Sequence, residues 1–183
     1  MRSGAKPGDF VAVTGTFGKT AAGFKILLDG FKAPKQIRKI FIDSVMVPYA
    51  RLKEGLALSK TKAVTSAIDS SDGLAWSLHE IAKASNVGFL LSKLPTAKEV
   101  KEFAKLNKLF TPELTLYGGE EYELIVTIKP KLWRKAEKAV EKVGGKLFPI
   151  GRVTAERQVL LEIDGKKKVI EPRGWEHFKS GNV

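Results

Sequence analysis

The sequence has no cysteine and only two histidines, His79 and His177. The lack of cysteine excludes disulfides, thiolate nucleophiles and cysteine-ligated metals, and two histidines are too few for a histidine-rich zinc site. We expect both histidines to be structural. No segment approaches the run of about 18 apolar residues that a membrane helix needs, and the first nine residues lack the apolar core of a secretory signal. These absences predict a cytoplasmic protein with no membrane partner.

Acidic residues are scarce beside basic ones, 20 against 32, which gives a net charge of +12. This excess is compatible with a nucleic acid or another polyanion as partner. However, 25 of the basic residues are lysines, and they are spread along the chain, mostly on helix faces. A lysine-rich, cysteine-free composition is typical of heat-adapted cytoplasmic proteins. We therefore favour a solvated basic surface over nucleic-acid binding, although the charge also suits a small phosphorylated ligand.

Strand and helix patterns alternate along the chain, with no linker and no internal repeat. This order predicts one domain with an α+β fold, in which a mixed sheet is covered by helices. Strands are predicted at 10–14, 63–68, 87–92, 122–129, 147–154 and 158–164, and Asp164-Gly165 predicts a final hairpin. Helices are predicted after the glycine-rich loop 15–23, at 49–60, after Asp72, at 95–107 and at 131–143.

The segment AIDSSDGL, residues 67–74, places two carboxylates and two hydroxyls between a strand and a helix. Ser70, Ser71 or Asp72 is a suitable cap for the helix, but a cap needs only one or two of these residues. Asp69 ends the strand and faces the start of the helix, which is where α/β-type sheets bind ligands. Asp69 and Asp72 offer oxygen ligands suited to Mg²⁺, and Ser71 offers a donor for a phosphate. The spacing alone leaves capping and metal–phosphate binding both open.

Three other segments carry candidate chemistry. In LYGGEEYEL, residues 116–124, Glu120 and Glu121 either contact a cationic or hydroxylated ligand or belong to a tight turn at a solvated edge. In EPRGWEHF, Trp175 either covers the core or stacks on a flat cationic ring. The loop 15–23, GTFGKTAAG, lacks the glycine spacing of a Walker loop, and we expect it to serve strand–helix packing.

Taken together, the four segments resemble the second half of thiamine-monophosphate kinases. These kinases share a superfamily with aminoimidazole ribonucleotide synthetase, selenophosphate synthetase and a hydrogenase-maturation protein. The resemblance runs from residue 2 to residue 178 and implies the C-terminal domain of the aminoimidazole ribonucleotide synthetase-like fold. It is carried by RSGAKPGDFVAVTGTFGKTAAG, AIDSSDGL, GGEEYEL and RGWEHF, and the last two favour the kinase over its sister enzymes.

The resemblance implies a role for six residues. It makes Asp69 and Asp72 magnesium ligands, Arg2 and Ser71 contacts of ATP, and Glu120 and Trp175 contacts of thiamine monophosphate. The implied reaction moves the γ-phosphoryl group of Mg-ATP onto thiamine monophosphate. No residue of this chain is expected to act as a general base, because the acceptor phosphate is already largely ionised near neutral pH.

The resemblance also carries departures and limits. Lys19 and Thr20 stand where many relatives have an acid and a serine, and Glu121 stands where they have aspartate. The family has an N-terminal domain that holds most magnesium ligands and forms the dimer, so we expect an isolated C-terminal domain that is inactive without that domain or a full-length partner chain. Two alternatives stay open at this point. One is a domain of a sister synthetase, and the other is a basic RNA-binding module.

Overall fold

The computed structural model describes residues 1–174 and contains one sheet of seven strands with seven α-helices around it. No helix in this part of the chain is long and apolar enough to cross a bilayer. The strands are β1 (Phe10–Val13), β2 (Val64–Asp69), β3 (Gly88–Leu91), β4 (Leu124–Ile128), β5 (Phe148–Thr154), β6 (Val159–Ile163) and β7 (Lys166–Val169). The helices are α1 (Lys19–Leu27), α2 (Lys35–Met46), α3 (Leu52–Ser59), α4 (Leu74–Ser85), α5 (Lys98–Leu106), α6 (Thr111–Tyr117) and α7 (Trp133–Glu141).

The strand order is β2-β4-β1-β5-β3-β6-β7. All neighbouring strands run antiparallel except β3 and β6, which are parallel. The predicted mixed sheet of an α+β fold is therefore confirmed. The last hairpin is also as predicted, since β6 and β7 pair across Asp164-Gly165. In contrast, the consecutive strands β5 and β6 do not pair, because β3 lies between them.

Helices cover both faces of the sheet, and alternation along the strands divides the apolar side chains between the faces. On one face, Val11, Val13 and Ile125 pack with α4 in the largest apolar cluster. On the other face, Ala12 and Val126 pack under α3 and α7. A third cluster joins α1, α2, α5 and α6 beside the sheet, and the rings of Phe41 and Phe103 meet there at 5.3 Å.

Two helices, α2 and α6, were not among the predicted elements. Helix α2 buries only Ile37 and Phe41, so its apolar stripe is thin. Helix α6 has seven residues, too few for a periodic signal to stand out. Helix α4 is as predicted, with Leu74, Leu78 and Ile81 buried and Asn86 ending it in the left-handed conformation.

Candidate ligand-binding site

Three loops meet at one end of the sheet because of the position of β4. Strands β1 and β2 flank β4 and both run antiparallel to it, with Val13 opposite Ile125 and Asp69 opposite Leu124. The segments that follow β1 and β2 therefore lie beside the segment that precedes β4. This arrangement brings residues 14–18, 69–73 and 118–123 together, although they are far apart in sequence.

The junction between β2 and α4 does not use its polar residues to cap the helix. The N-cap position is Gly73, with φ 105° and ψ 162°, and no described side chain bonds the first free amides. Capping by Ser70, Ser71 or Asp72 is therefore not what the structure has. A side chain at residue 73 would lie 3.0 Å from the carbonyl oxygen of Gly118, so the dihedral angles and the close approach both require glycine.

The two aspartates of the junction present oxygens that the rest of the structure leaves available. Asp69 is exposed and Asp72 is half-buried. Within residues 1–174, neither carboxylate makes a hydrogen bond or an ion pair with another side chain. Carboxylate oxygens fit Mg²⁺, which takes six ligands in an octahedral arrangement. A pair of carboxylates supplies few of the six, and residues 1–174 contain no group of three or more His, Asp or Glu side chains that could hold a metal.

The Gly-Gly-Glu-Glu loop, residues 118–123, is attached directly to this junction. The backbone N–H of Glu120 donates to the carbonyl oxygen of Ser71 at 2.7 Å, and the N–H of Ser70 donates to the carbonyl of Glu123 at 2.9 Å. Glu120 and Tyr122 both have positive φ, 60° and 52°, which turns the loop sharply. The structure thus brings the backbone of Glu120 against Ser71, which lies between Asp69 and Asp72 in the junction.

The side chain of the adjacent Glu121, for which ligand contact and a turn at a solvated edge were both open, is held by the backbone at the start of α1. Its Oε1 accepts hydrogen bonds from the backbone N–H groups of Gly18 at 2.6 Å and Thr20 at 3.1 Å. The side chain therefore caps α1, which has no cap of its own. Desolvation of the carboxyl group raises the pKa of Glu121 to about 7, although the two amides and Lys19 oppose that rise.

A third glutamate of the loop, Glu123, is buried in an ionic cluster that the sequence analysis did not identify. Arg51 holds it with two hydrogen bonds, from Nε at 2.7 Å and from Nη2 at 2.6 Å, and Thr14 donates a third at 2.8 Å. Arg51 also bonds the buried Glu54 at 3.2 Å. The hydrogen bond to Glu123 is the main cause that raises the pKa of Arg51. No local pattern connects Arg51 to Glu123, 72 residues away.

Arg2 lies near the junction but does not contact it. The carbonyl oxygen of Met1 accepts a hydrogen bond from Ala67 on the outer edge of β2 at 2.9 Å. The guanidinium of Arg2 is exposed and pairs with Glu80 of α4 at 3.3 Å. Its contact with ATP phosphates stays a prediction.

The chain returns to the junction after β7. Arg173 makes paired hydrogen bonds of 3.1 Å to Glu113 and lies over the ring of Tyr117 at 3.9 Å. Gly174 packs so closely on the Asp72 carbonyl and Trp76 that a side chain there would not fit. The predictions for Trp175 and His177 lie outside the described residues.

An open cleft of about 380 Å³ begins at Gly118-Gly119 and runs between α1 and α6. Phe24 and Tyr117 belong to its lining, and its two carboxylates are paired, Asp29 with Lys25 and Glu113 with Arg173, each at 3.1 Å. The cleft therefore combines aromatic residues with paired charges, and it adjoins the loop that carries Glu120.

Comparisons with known proteins identify the family and the fold of this chain. Residues 6–164 match the family model described as AIR synthase related protein, C-terminal domain. The thiamine-monophosphate kinase of Nitrosopumilus maritimus strain SCM1 is 36% identical over 178 residues, which covers 97% of this chain and 56% of that protein. AaThiL, solved in complex with AMPPCP and TMP, superposes with a TM-score of 0.79 at 31% identity, covering 97% of this chain and 53% of that one.

A hydrogenase maturation protein, HypE of E. coli, shares only the fold, with a TM-score of 0.68 at 19% identity over 98% of this chain and 53% of that one. The chain spans about half the length of the curated relatives it matches.

Proposed function

This chain belongs to the family of AIR synthase related proteins, through their C-terminal domain, and on that premise we propose that it is the C-terminal half of an ATP-dependent kinase. The kinase transfers the γ-phosphoryl group of ATP to a phosphate oxygen of thiamine monophosphate and releases thiamine diphosphate and ADP. The support is twofold. Two curated relatives that match nearly the whole chain, at 36% and 37% identity, are named thiamine-monophosphate kinases, and AaThiL was solved with AMPPCP, which has a methylene bridge in place of an oxygen of ATP.

The observation that carries the proposal is the hydrogen bond of 2.7 Å from the Glu120 N–H to the Ser71 carbonyl. It fixes the substrate-contacting segment against the segment that is to meet the nucleotide. Phosphoryl transfer between two anions depends mainly on alignment and on neutralisation of charge, because the acceptor needs little activation. Two motifs locked together by their backbones provide that alignment.

The residues of the junction have separate tasks in this mechanism. Asp69 and Asp72 hold Mg²⁺, which when bound neutralises charge on the phosphates. Ser71 donates a hydrogen bond to a phosphate oxygen of ATP, and Arg2 contributes positive charge to the same phosphates. No histidine or cysteine takes part, and no general base is needed because the acceptor oxygen is already ionised near neutral pH.

The thiamine end is held by charge and by aromatic surface. Glu120 offers a carboxylate to the cationic ring system, and Trp175 offers a π-face to it. The cleft between α1 and α6 continues from Gly118-Gly119 and has Phe24 and Tyr117 in its lining. The phosphate of the substrate then points toward the junction at Asp69–Asp72.

The number of metal ligands indicates that this chain carries only part of the active site. Asp69 and Asp72 leave most of the coordination sphere of Mg²⁺ open. We propose that the other half of the enzyme, an N-terminal domain in the relatives, supplies the missing ligands and most of the nucleotide site. The 183-residue chain is therefore expected to bind thiamine monophosphate but not to phosphorylate it.

The test is calorimetric titration of the 183-residue chain with thiamine monophosphate, with and without Mg-ATP. Glu120→Gln removes one charged contact and should weaken binding about tenfold. Glu156→Gln, in the exposed turn before β6, is the matched control and should bind as the wild type does. No turnover is expected from the chain alone.

Three results would contradict the proposal. If the 183-residue chain phosphorylated thiamine monophosphate near the rate of a full-length relative, it could not be only part of the active site. Binding of an aminoimidazole precursor in preference to thiamine monophosphate would indicate a sister synthetase. Specific binding of RNA would indicate the basic module, although β4 lies inside the sheet with Ile125–Ile128 buried and offers no aromatic platform for bases.

A further inference from the structure

A groove between α3 and α7 lies on the side of the sheet opposite α4. The two helices pack over Ala12 and Val126, whereas α4 packs over Val11 and Val13. The groove has a volume of about 630 Å³ and is open to solvent. Nothing in the proposed kinase chemistry uses this surface, since the junction at Asp69–Asp72 leads into the helix on the other face.

Lysines from both helices line the rim of this groove. Lys53 and Lys60 project from the α3 side, and Lys135, Lys138 and Lys142 from the α7 side. Their spacings of three, four and seven residues place each set on one face of its helix. Within residues 1–174 none of the five forms an ion pair.

The carboxylates of the same two helices are turned away from the groove. Glu137 pairs with Arg134 at 2.7 Å, and Glu137 and Glu141 line a separate depression at the end of α7. On α3, Glu54 is buried against Arg51 at 3.2 Å. The helices therefore segregate their charges, and the rim is uniformly positive.

The floor of the groove is apolar. Leu56 is 55% exposed and Val143 is 38% exposed, with Ala57 and Ala139 beside them. The methylene stems of the lysines extend this apolar surface while their ammonium groups remain in water. An apolar floor with a positively charged rim is complementary to a ligand that has an apolar face with negative charges beside it.

We propose that this groove docks a short acidic amphipathic helix of a partner protein. A helix laid between two helices presents apolar anchors at i, i+4 and i+7 to the floor, and flanking Asp and Glu residues meet the lysines. Helices α3 and α7 have eight and nine residues, so the groove is long enough to contact a little over two helical turns, about 12 Å.

Other occupants fit the groove less well. A second copy of this chain carries the same charge of +12, and its approach to five lysines is repulsive. A nucleic acid would use arginines and aromatic side chains for base contacts, and the lining has neither. The apolar floor itself has no role against a phosphate backbone.

The test uses fluorescence anisotropy of a labelled three-turn peptide with leucines on one face and glutamates beside them. The double variant Lys53→Glu, Lys138→Glu reverses the charge at one lysine position of each helix. Its binding should weaken about tenfold, because two close charge contacts become repulsive. The control is Lys98→Glu with Lys167→Glu, on α5 and β7, which has the same net charge and should lose less than about threefold. Leu56→Ser should also weaken binding while leaving every charge in place.

Each result decides for or against the groove. All four lysines are exposed, and urea unfolding checks that neither double variant loses stability. Equal losses in the two double variants would overturn the proposal, since only net charge would then matter. The proposal would also be overturned if a peptide with the same residues in scrambled order bound equally well. Binding of a single-stranded oligonucleotide that is lost in the Lys53→Glu, Lys138→Glu variant would overturn it too. The outcome does not depend on the kinase assignment, because no phosphorylated ligand is used.

Discussion

Three glutamates of one short loop, at positions 120, 121 and 123, have three different environments. Glu123 is paired with a guanidinium, and Glu121 with the amides at the start of α1. Glu120 bonds Ser71 of the junction through its backbone N–H, and its side chain is the one for which we propose a substrate contact. The same residue type therefore serves as a buried ion, a helix cap and a proposed substrate contact within four positions. The surroundings of each glutamate decide which of these roles it has.

Glu121 should make stability depend on pH. Its pKa is about 7 in the folded state against 4.5 for an ordinary glutamate, so the folded chain binds more protons between these values. The stabilisation is complete below pH 4.5 and is lost as pH rises through 7, by up to about 3 kcal/mol. Glu121→Gln keeps an oxygen acceptor for the amides of Gly18 and Thr20 but cannot ionise.

Urea unfolding from pH 5 to pH 8 measures this effect as the difference between wild type and Glu121→Gln. We expect wild type to lose stability relative to the variant as pH rises. Glu141→Gln, on the exposed end of α7, is the control and should show a flat difference. A constant gap between wild type and Glu121→Gln over the whole range would be inconsistent with a raised pKa.

Arg51 should be indispensable for stability because it is the shared partner of two buried carboxylates. Arg51→Met leaves Glu54 and Glu123 buried without a cation, and we expect a loss of about 3 kcal/mol in the free energy of unfolding. Arg51→Lys should recover only part of the loss, since an ammonium cannot reproduce the paired hydrogen bonds. Arg157→Met, at an exposed turn, is the control, and a loss no larger than in this variant would argue against the cluster.

At the scale of elements, glycine has opposite consequences in α1 and α3. A side chain at Gly23 would overlap the carbonyl oxygen of Phe41 and the Val45 side chain, so α1 and α2 pack backbone to backbone there. A side chain at Gly55 would make an ordinary contact of 3.4 Å with Leu124.

We expect Gly23→Ala to destabilise the chain by about 1–3 kcal/mol because α1 and α2 must separate. Gly55→Ala should stabilise it by about 0.5 kcal/mol, since alanine favours a helix interior. Thermal unfolding of the two variants compares the same substitution in two helices. Equal shifts in the unfolding temperature would mean that the two variants report helix propensity alone. The close packing of α1 on α2 would then not contribute to stability.

The elements that the sequence predicted are those with strong periodicity, such as α4 and β4. The bounds of β1, β2 and α7 were also close, because turn residues flank them. Helices α2 and α6 were not predicted, because the thin apolar stripe of α2 and the short length of α6 both give weak periodic patterns. The inward turn of Glu121 was beyond reach, since its amide partners lie about a hundred residues away and no local rule selects position 121 over 120.

At the scale of the whole molecule, the sheet separates two surfaces of different character. The junction at Asp69–Asp72 and its helix α4 belong to one face, and the lysine-lined groove of α3 and α7 belongs to the other. A partner in the groove would therefore leave the proposed substrate cleft open. The net charge of +12 does not describe either surface by itself, because the two carboxylates of the cleft are each paired with a cation, whereas lysines supply all the charge in the lining of the groove.

The place of β4 between β1 and β2 also sets the order in which the chain can mature. Its neighbours β1 and β2 begin at residues 10 and 64, yet both remain unpaired on that side until residues 124–128 have been synthesised. Contacts over such long loops form slowly, and the exposed strands must avoid association in the meantime. On a ribosome, the acidic junction and the glycine loop would therefore stay apart until residues 124–128 had emerged, and the cleft would form only then.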